Sequence, residues 1–252
     1  MIKSNQLLQL KQNKQVFNII YNFCIVTFLY IITVHHMYDS NYTFLRMTRF
    51  WTYFGVWSCQ LYFFMNLLIS IYKFHHIKSN NQENKENERK YKNGIKQIKN
   101  ISEYLQQSAI SIGLSVTTMF WFLYFKSPSN VFRETDEWEP NWFEELYCTH
   151  FEHSFPILFL IIDCLIFKQG NKNCKETKKI SFKSTYCYCC LYCSFTLYDY
   201  FRFNIKPYPF MDDWNFYKVM GFVFCFFNLM IWIFNPLSWY IRYFLYKLTS
   251  HF

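Results

Sequence analysis

Apolar stretches of membrane length alternate with short polar blocks along the whole chain. They fall at 15–34 (QVFNIIYNFCIVTFLYIITV), about 50–72, about 101–124, about 143–167, about 180–201 and 214–235. At about 1.5 Å of rise per residue, each is long enough to cross a hydrocarbon core of roughly 30 Å as a tilted helix. The pattern predicts an all-α polytopic membrane protein, a single domain of six transmembrane helices spanning 1–252. The first stretch is read as a retained span, since its apolar run outlasts a signal peptide's and no small-residue cleavage site follows it. Between spans two and three, 75–100 (HHIKSNNQENKENERKYKNGIKQIKN) is so poor in apolar side chains that it is expected to be a polar cytoplasmic loop with no core of its own. The outer loop 125–142, with KSPSNVFRETDEWEPNW, is instead acidic and holds two tryptophans, which suits the opposite side of the membrane and its interface. After Pro236, the run LSWYIRYFLYKLTSHF is expected to form an interfacial segment over 237–252 beyond a proline break.

The mean hydropathy of −0.06 conceals this segregation, because tyrosines and Asn/Lys-rich connectors offset the apolar windows. The chain carries 31 Phe, 21 Tyr and 8 Trp, and its net charge is +9. That charge is distributed by side: the N-terminus, 73–99, 168–183 and the C-terminus together hold 19 Lys and Arg, and the alternate loops and flanks hold 7. The positive-inside rule therefore puts both termini in the cytoplasm, and the excess of basic residues gives no support to nucleic-acid binding. Of the ten cysteines only Cys174 lies clearly in a loop. The cluster Cys187, Cys189, Cys190 and Cys193 in span five is read as lipid-facing or packing side chains, a metal or acylation site being the alternative.

Polar groups inside such spans cost several kcal/mol unless they are paired or functional. The stretch CTHFEHSFP at 148–156 holds three of them, His150, Glu152 and His153. Counted in depth from the helix ends, Arg49, Thr52, His150, His153 and Asp199 converge on the outer third of the bundle, while Asp163 falls near the inner end, within range of Lys168. A threonine hydroxyl becomes a nucleophile when a neutral histidine takes its proton. Asp199 or Glu152 would then fix the histidine tautomer, and Arg49 would hold a carboxylate at the interface. The competing reading is structural, with Thr52 bonded back to its own helix and Arg49 an interface anchor. A di-iron enzyme is disfavoured because His35-His36 and His75-His76 lie on opposite sides of the predicted membrane.

Four marks in this order resemble the androgen-induced membrane protein family: RMTRFWTYF opening span two, Phe120-Trp121 in span three, His150 and His153 with Asp163 in span four, and Tyr200-Phe201 followed by Tyr208-Pro209. The resemblance runs from about Arg46 to Pro236. It implies a six-span hydrolase of fatty acid esters of hydroxy fatty acids, working without metal or organic cofactor, with the nucleophile on Thr52 and the histidine on His153. Thr48 is the rival position for the nucleophile, and Thr149 stands where the family usually has Asn. The implied partners are a lipid ester substrate and membrane lipids. The alternative is a non-catalytic scaffold or accessory subunit of a membrane protein complex. The sequon Asn41-Tyr42-Thr43 in an outer loop suits the endoplasmic reticulum or plasma membrane, with the mitochondrial inner membrane as the other address.

Overall fold

The computed structural model describes residues 2–39, 51–79, 85–127, 149–167, 174–206 and 208–250, and among them the chain is all helical, with no strand. The helices are α1 (Ile2–Asp39), α2 (Trp51–Ser79), α3 (Lys85–Lys126), α4 (Thr149–Phe167), α5 (Cys174–Phe203), α6 (Phe216–Leu229) and α7 (Asn235–Ser250). A π-helical turn, Met230–Phe234, joins the last two without interruption. Among the described residues four stretches are long and apolar enough to cross a membrane: Gln9–His35, Trp51–Ile77, Tyr91–Lys126 and Phe216–Thr249. Helices α4 and α5 pack into the same bundle.

α3 is the axis of the bundle and touches α2, α4, α5 and α7. Its middle is built from Ser108, Ala109, Ser111, Gly113 and Ser115, all buried. Small side chains let neighbouring backbones close in, which is the main source of helix association where lipid offers no hydrophobic gain. The closest approach is at Gly113, where an added Cβ would stand 3.2 Å from the Cβ of Ile157 on α4. Two apolar cores flank this axis. One gathers Ile25, Leu29, Val56, Cys59, Phe63, Ile110 and Leu160 from the first four helices. The other gathers Trp51, Phe54, Ile112, Val116, Tyr192, Phe226 and Met230. The outward surface is apolar instead of charged, with Phe23 and Ile31 on α1, Phe122 on α3, Leu191 on α5, and Phe224 and Trp232 towards the C-terminus all exposed. This inside-out distribution suits acyl chains as the surrounding solvent.

Two expectations change. The segment 75–100 is not a loop throughout: α2 runs on to Ser79 and α3 already begins at Lys85. Polar side chains do not prevent helix, and Tyr91 packs its ring on His76 and, with centroids 5.1 Å apart, on Tyr72, so the two extensions brace each other. Nor does Pro236 break the chain. Asn235 N–H reaches back to the carbonyl of Met230 in the wide π turn, and the missing donor of Pro236 is accommodated directly after it. α7 therefore continues from α6, and Arg242, expected on a surface helix, is buried and donates to Gln107 Oε1 at 3.4 Å.

The Gly113 approach makes a sharp test. Gly113→Val forces α3 and α4 apart and is expected to cost about 1–3 kcal/mol. Gly55→Ala adds a Cβ at ordinary contact distance, 3.4 Å from Val116, and is expected to be neutral or stabilising, because alanine is the better helix former. Thermal unfolding in detergent measures both.

Candidate active site

Thr52 lies at the end of α2 nearest the α5–α6 connector, and His153 lies in the second turn of α4. Thr52 Oγ1 and His153 Nε2 are 3.0 Å apart, a hydrogen bond between side chains 101 positions apart in sequence. Thr52 is buried and His153 half-buried. For the hydroxyl to donate to Nε2, the imidazole must carry its own proton on Nδ1. This pair lines a pocket of about 40 Å³ together with Trp51, Val116, Met119, Phe120, Leu123, Tyr208 and Phe210. One water needs roughly 10–15 Å³ on the same measure, so the pocket holds a few waters.

The imidazole is held from several directions. Phe120 stacks on it, with ring centroids 3.8 Å apart and planes inclined by 24°. Thr117 on α3 donates its hydroxyl to the backbone carbonyl of His153, and the next residue, Ser154, accepts from the indole of Trp121 at 3.1 Å. The Phe120-Trp121 pair seen in the sequence thus grips two consecutive residues of α4. Pro156, three residues on, lacks an N–H and leaves the carbonyl of Glu152 without its helical donor. Neighbouring helices reach into this weakened turn, Cys59 Sγ lying 3.5 Å from the carbonyl of Pro156. On the threonine side, the indole of Trp51 donates to Ser115 Oγ at 2.7 Å, and its backbone N–H donates to Tyr208 Oη at 3.3 Å.

The other expected site residues divide. Glu152 is buried in the first turn of α4, where a negative charge is favoured by the helix dipole. As the immediate chain neighbour of His153 it cannot share its helix face. Asp199 sits near the end of α5, where its backbone carbonyl accepts from Ile205 N–H at 3.3 Å, and it does not line the pocket. His150 is in the first turn of α4, but its side chain lies outside the described residues, as do Arg49, Thr48 and Lys168. Asp163 is bonded within the bundle: its Oδ2 accepts from Tyr62 and, at 3.2 Å, from Gln106, whose amide also reaches Tyr62 Oη at 2.8 Å. Sequence reading missed Tyr62, Gln106 and Tyr208 as members of polar networks. Among the described residues no group of His, Cys, Asp and Glu is arranged to hold a metal.

One family model, described as FAR-17a/AIG1-like protein, matches residues 16–240. The chain belongs to this family. The match covers every helix from the apolar part of α1 into α7, including all residues that line the pocket. No curated protein and no solved structure matches the chain significantly.

The stacking contact predicts a measurable effect. In Phe120→Leu, which keeps most of the volume but removes the flat face, thermal stability in detergent is expected to fall by about 0.5–1.5 kcal/mol. The ring-current displacement of the His153 imidazole protons in the NMR spectrum is expected to disappear.

Proposed function

We propose that this member of the FAR-17a/AIG1-like family is an integral membrane hydrolase of lipid esters, cleaving fatty acid esters of hydroxy fatty acids with Thr52 as nucleophile and His153 as general base. The observation that carries the reading is the 3.0 Å contact between Thr52 Oγ1 and His153 Nε2 inside a largely apolar pocket. Proton transfer from hydroxyl to imidazole needs this reach, and scarcity of competing water strengthens each polar interaction of the transition state.

In the first half of the reaction, Thr52 Oγ adds to the acyl carbon while its proton moves to Nε2 and the carbonyl π pair moves onto oxygen. Collapse restores the carbonyl and breaks the ester C–O bond. The departing alkoxide takes the proton from Nε2, leaving Thr52 acylated. In the second half, His153 takes a proton from water as that water adds to the acyl carbon. Collapse then releases the fatty acid and returns the proton to Thr52. The net change is ester plus water to acid plus alcohol, with no redox step.

We further propose that α4 and α5 complete a six-span arrangement with both termini in the cytoplasm. The Thr52 end of α2 then lies in the outer part of the bundle, below the head groups of the non-cytoplasmic leaflet. The asymmetry of Lys and Arg supports this orientation. In sealed microsomes, tags on both termini are expected to be digested by added protease. Protection of either tag contradicts the orientation.

An active threonine hydrolase is expected to react covalently with a fluorophosphonate probe. Labelling is expected to vanish in Thr52→Ala and His153→Ala and to survive in Thr52→Ser. If both alanine variants label like the parent, or if the parent never labels and instead purifies in a stable stoichiometric complex, the scaffold reading replaces this one.

A further inference from the structure

We propose that α1, α2 and α3, at the end of the bundle opposite Thr52, form a binding site for a phospholipid whose head group carries a phosphate monoester, with Lys14, Lys73 and Lys99 as its ligands. The inference is independent of the hydrolase chemistry. It draws on the orientation proposed above, which turns this end of the bundle towards the leaflet that carries anionic lipid.

The three lysines come from three helices and are brought to one corner by contacts on either side of them. α2 and α3 are antiparallel neighbours: Ser102 Oγ donates to Asn66 Oδ1 at 2.7 Å, and further from the bundle centre Tyr91 stacks on Tyr72 with centroids 5.1 Å apart. Lys73 follows Tyr72 directly, and Lys99 lies between Tyr91 and Ser102 on α3. α1 meets α2 through Tyr21, which packs edge-on against Phe63 with centroids 6.0 Å apart. Lys14 comes two turns before Tyr21 and so lies on the same face of α1. Lys73 is half-buried in this corner, and its ammonium is repelled by those of Lys99 and Lys14. Glu103, 3.9 Å from Lys99, answers one charge of the trio. Among the described residues neither Lys14 nor Lys73 has an acidic partner.

Like charges gathered around a half-buried ammonium oppose folding. An anion seated among them turns that repulsion into attraction. Three lysines offset by one carboxylate leave two positive charges, and a phosphate monoester carries a charge of about −1.5 to −2 near neutral pH, so the two sides match. Depth and surroundings point to lipid as the source of the phosphate. At about 1.5 Å of rise per residue, Lys73 stands roughly 30 Å along α2 from Thr52, one hydrocarbon thickness away and so level with the phosphates of the opposite leaflet. Phe17 and Ile20 on α1, Leu68 on α2 and Ile101 on α3 lie within two turns of the lysines towards the membrane centre, and all are exposed. They offer acyl chains an apolar surface directly below the phosphate, which a soluble anion would leave unused.

The test uses the full-length protein in nanodiscs, which expose both leaflets and so make the result independent of orientation. The discs contain phosphatidylcholine alone, phosphatidylcholine with phosphatidic acid, a monoester, or phosphatidylcholine with phosphatidylglycerol, a diester, at matched total charge. Thermal unfolding and native mass spectrometry of retained lipid are the readouts. The parent is expected to unfold at higher temperature with phosphatidic acid than with phosphatidylglycerol and to retain the former on transfer to the gas phase. In Lys73→Gln the affinity for phosphatidic acid is expected to fall about fivefold. In phosphatidylcholine alone the same variant is expected to be at least as stable as the parent, because the repulsion is relieved. Lys179→Gln, which removes an exposed charge from α5, is expected to behave like the parent in every disc. Should Lys73→Gln fold poorly, Lys14→Gln, at an exposed position on α1, makes the same comparison. The proposal is overturned if the monoester and the diester stabilise the parent equally, or if Lys179→Gln loses as much affinity as the variants of the trio, since either result reports diffuse surface charge. It is also overturned if inorganic phosphate added to phosphatidylcholine discs reproduces the stabilisation, which would make the ligand a soluble anion.

Discussion

The hydrogen bond from Tyr62 to Asp163 sets the register on which the site depends. Tyr62 is ten residues after Thr52 on α2, and Asp163 is ten residues after His153 on α4. The two helices run in the same direction, since Thr52, Cys59 and Tyr62 meet His153, Pro156 and Asp163 in that order. Equal spacing on parallel helices makes two rungs of one ladder, about 15 Å apart at helical rise. A carboxyl group this deep cannot be left without donors, so the lower rung has a strong preference for one relative rotation and one relative height of α2 and α4. With those two quantities set, the hydroxyl and the imidazole of the upper rung face each other with no further adjustment. An acid ten residues beyond the second histidine is therefore intelligible as part of the same device as the histidine itself.

α3 completes the device from the third side. Its polar face serves the lower rung through Gln106, ties Ser102 to Asn66 at 2.7 Å and Gln107 to Ser238 at 2.8 Å, and serves the upper rung through Ser115 and Thr117. Arg242 adds the opposing charge, acting electrostatically on Asp163 while donating to Gln107. Removing water from so many groups is costly unless each finds a partner on a neighbouring helix, and the cost of every alternative rotation is what gives the bundle a single arrangement. The small residues of α3 matter for the same reason. Serine and glycine let α4 come close enough for these short side chains to reach.

How much of this is visible in the sequence follows from the range of each interaction. Apolar windows are local in the chain, so the helices of the bundle could be read directly. The two histidines on α4 are local as well, and their burden in an apolar stretch marked the site. The partner of His153 was also within reach, since Thr52 falls at the same depth. What could not be read was helix rotation, which resides in contacts about a hundred positions apart. That is why the donors that the structure gives Asp163, Tyr62 and Gln106, could not be named from the sequence, where Lys168, which lies outside the described residues, was the near neighbour in range. Tyr208 carried a signal as part of the Tyr-Pro mark, but its approach to Trp51 needs the reversal at Asn204, a feature of one backbone angle. Pro236 misled for a related physical reason: proline's missing donor breaks an ideal α-helix, yet a π turn just before it absorbs the irregularity, and nothing in the local sequence announces that turn.

The size of the pocket bears on how such a site would work. Room for a few waters is enough for the second half of an acyl transfer, where one water must reach the acyl carbon, but far too little for a pair of acyl chains. On the hydrolase reading the chains would therefore lie outside the pocket with only the ester entering it. The surroundings permit this, because Phe122 and Phe125 near the end of α3 and Phe201 near the end of α5 expose apolar side chains close to that level of the bundle. A long substrate would then remain largely in lipid and present its polar centre sideways to Thr52. On that reading the site would select for an ester bond flanked by flexible apolar chains and would make few demands on their length. Discrimination would rest on the geometry of the ester against two fixed groups, the hydroxyl of Thr52 and the imidazole of His153, each held by a different helix of the bundle.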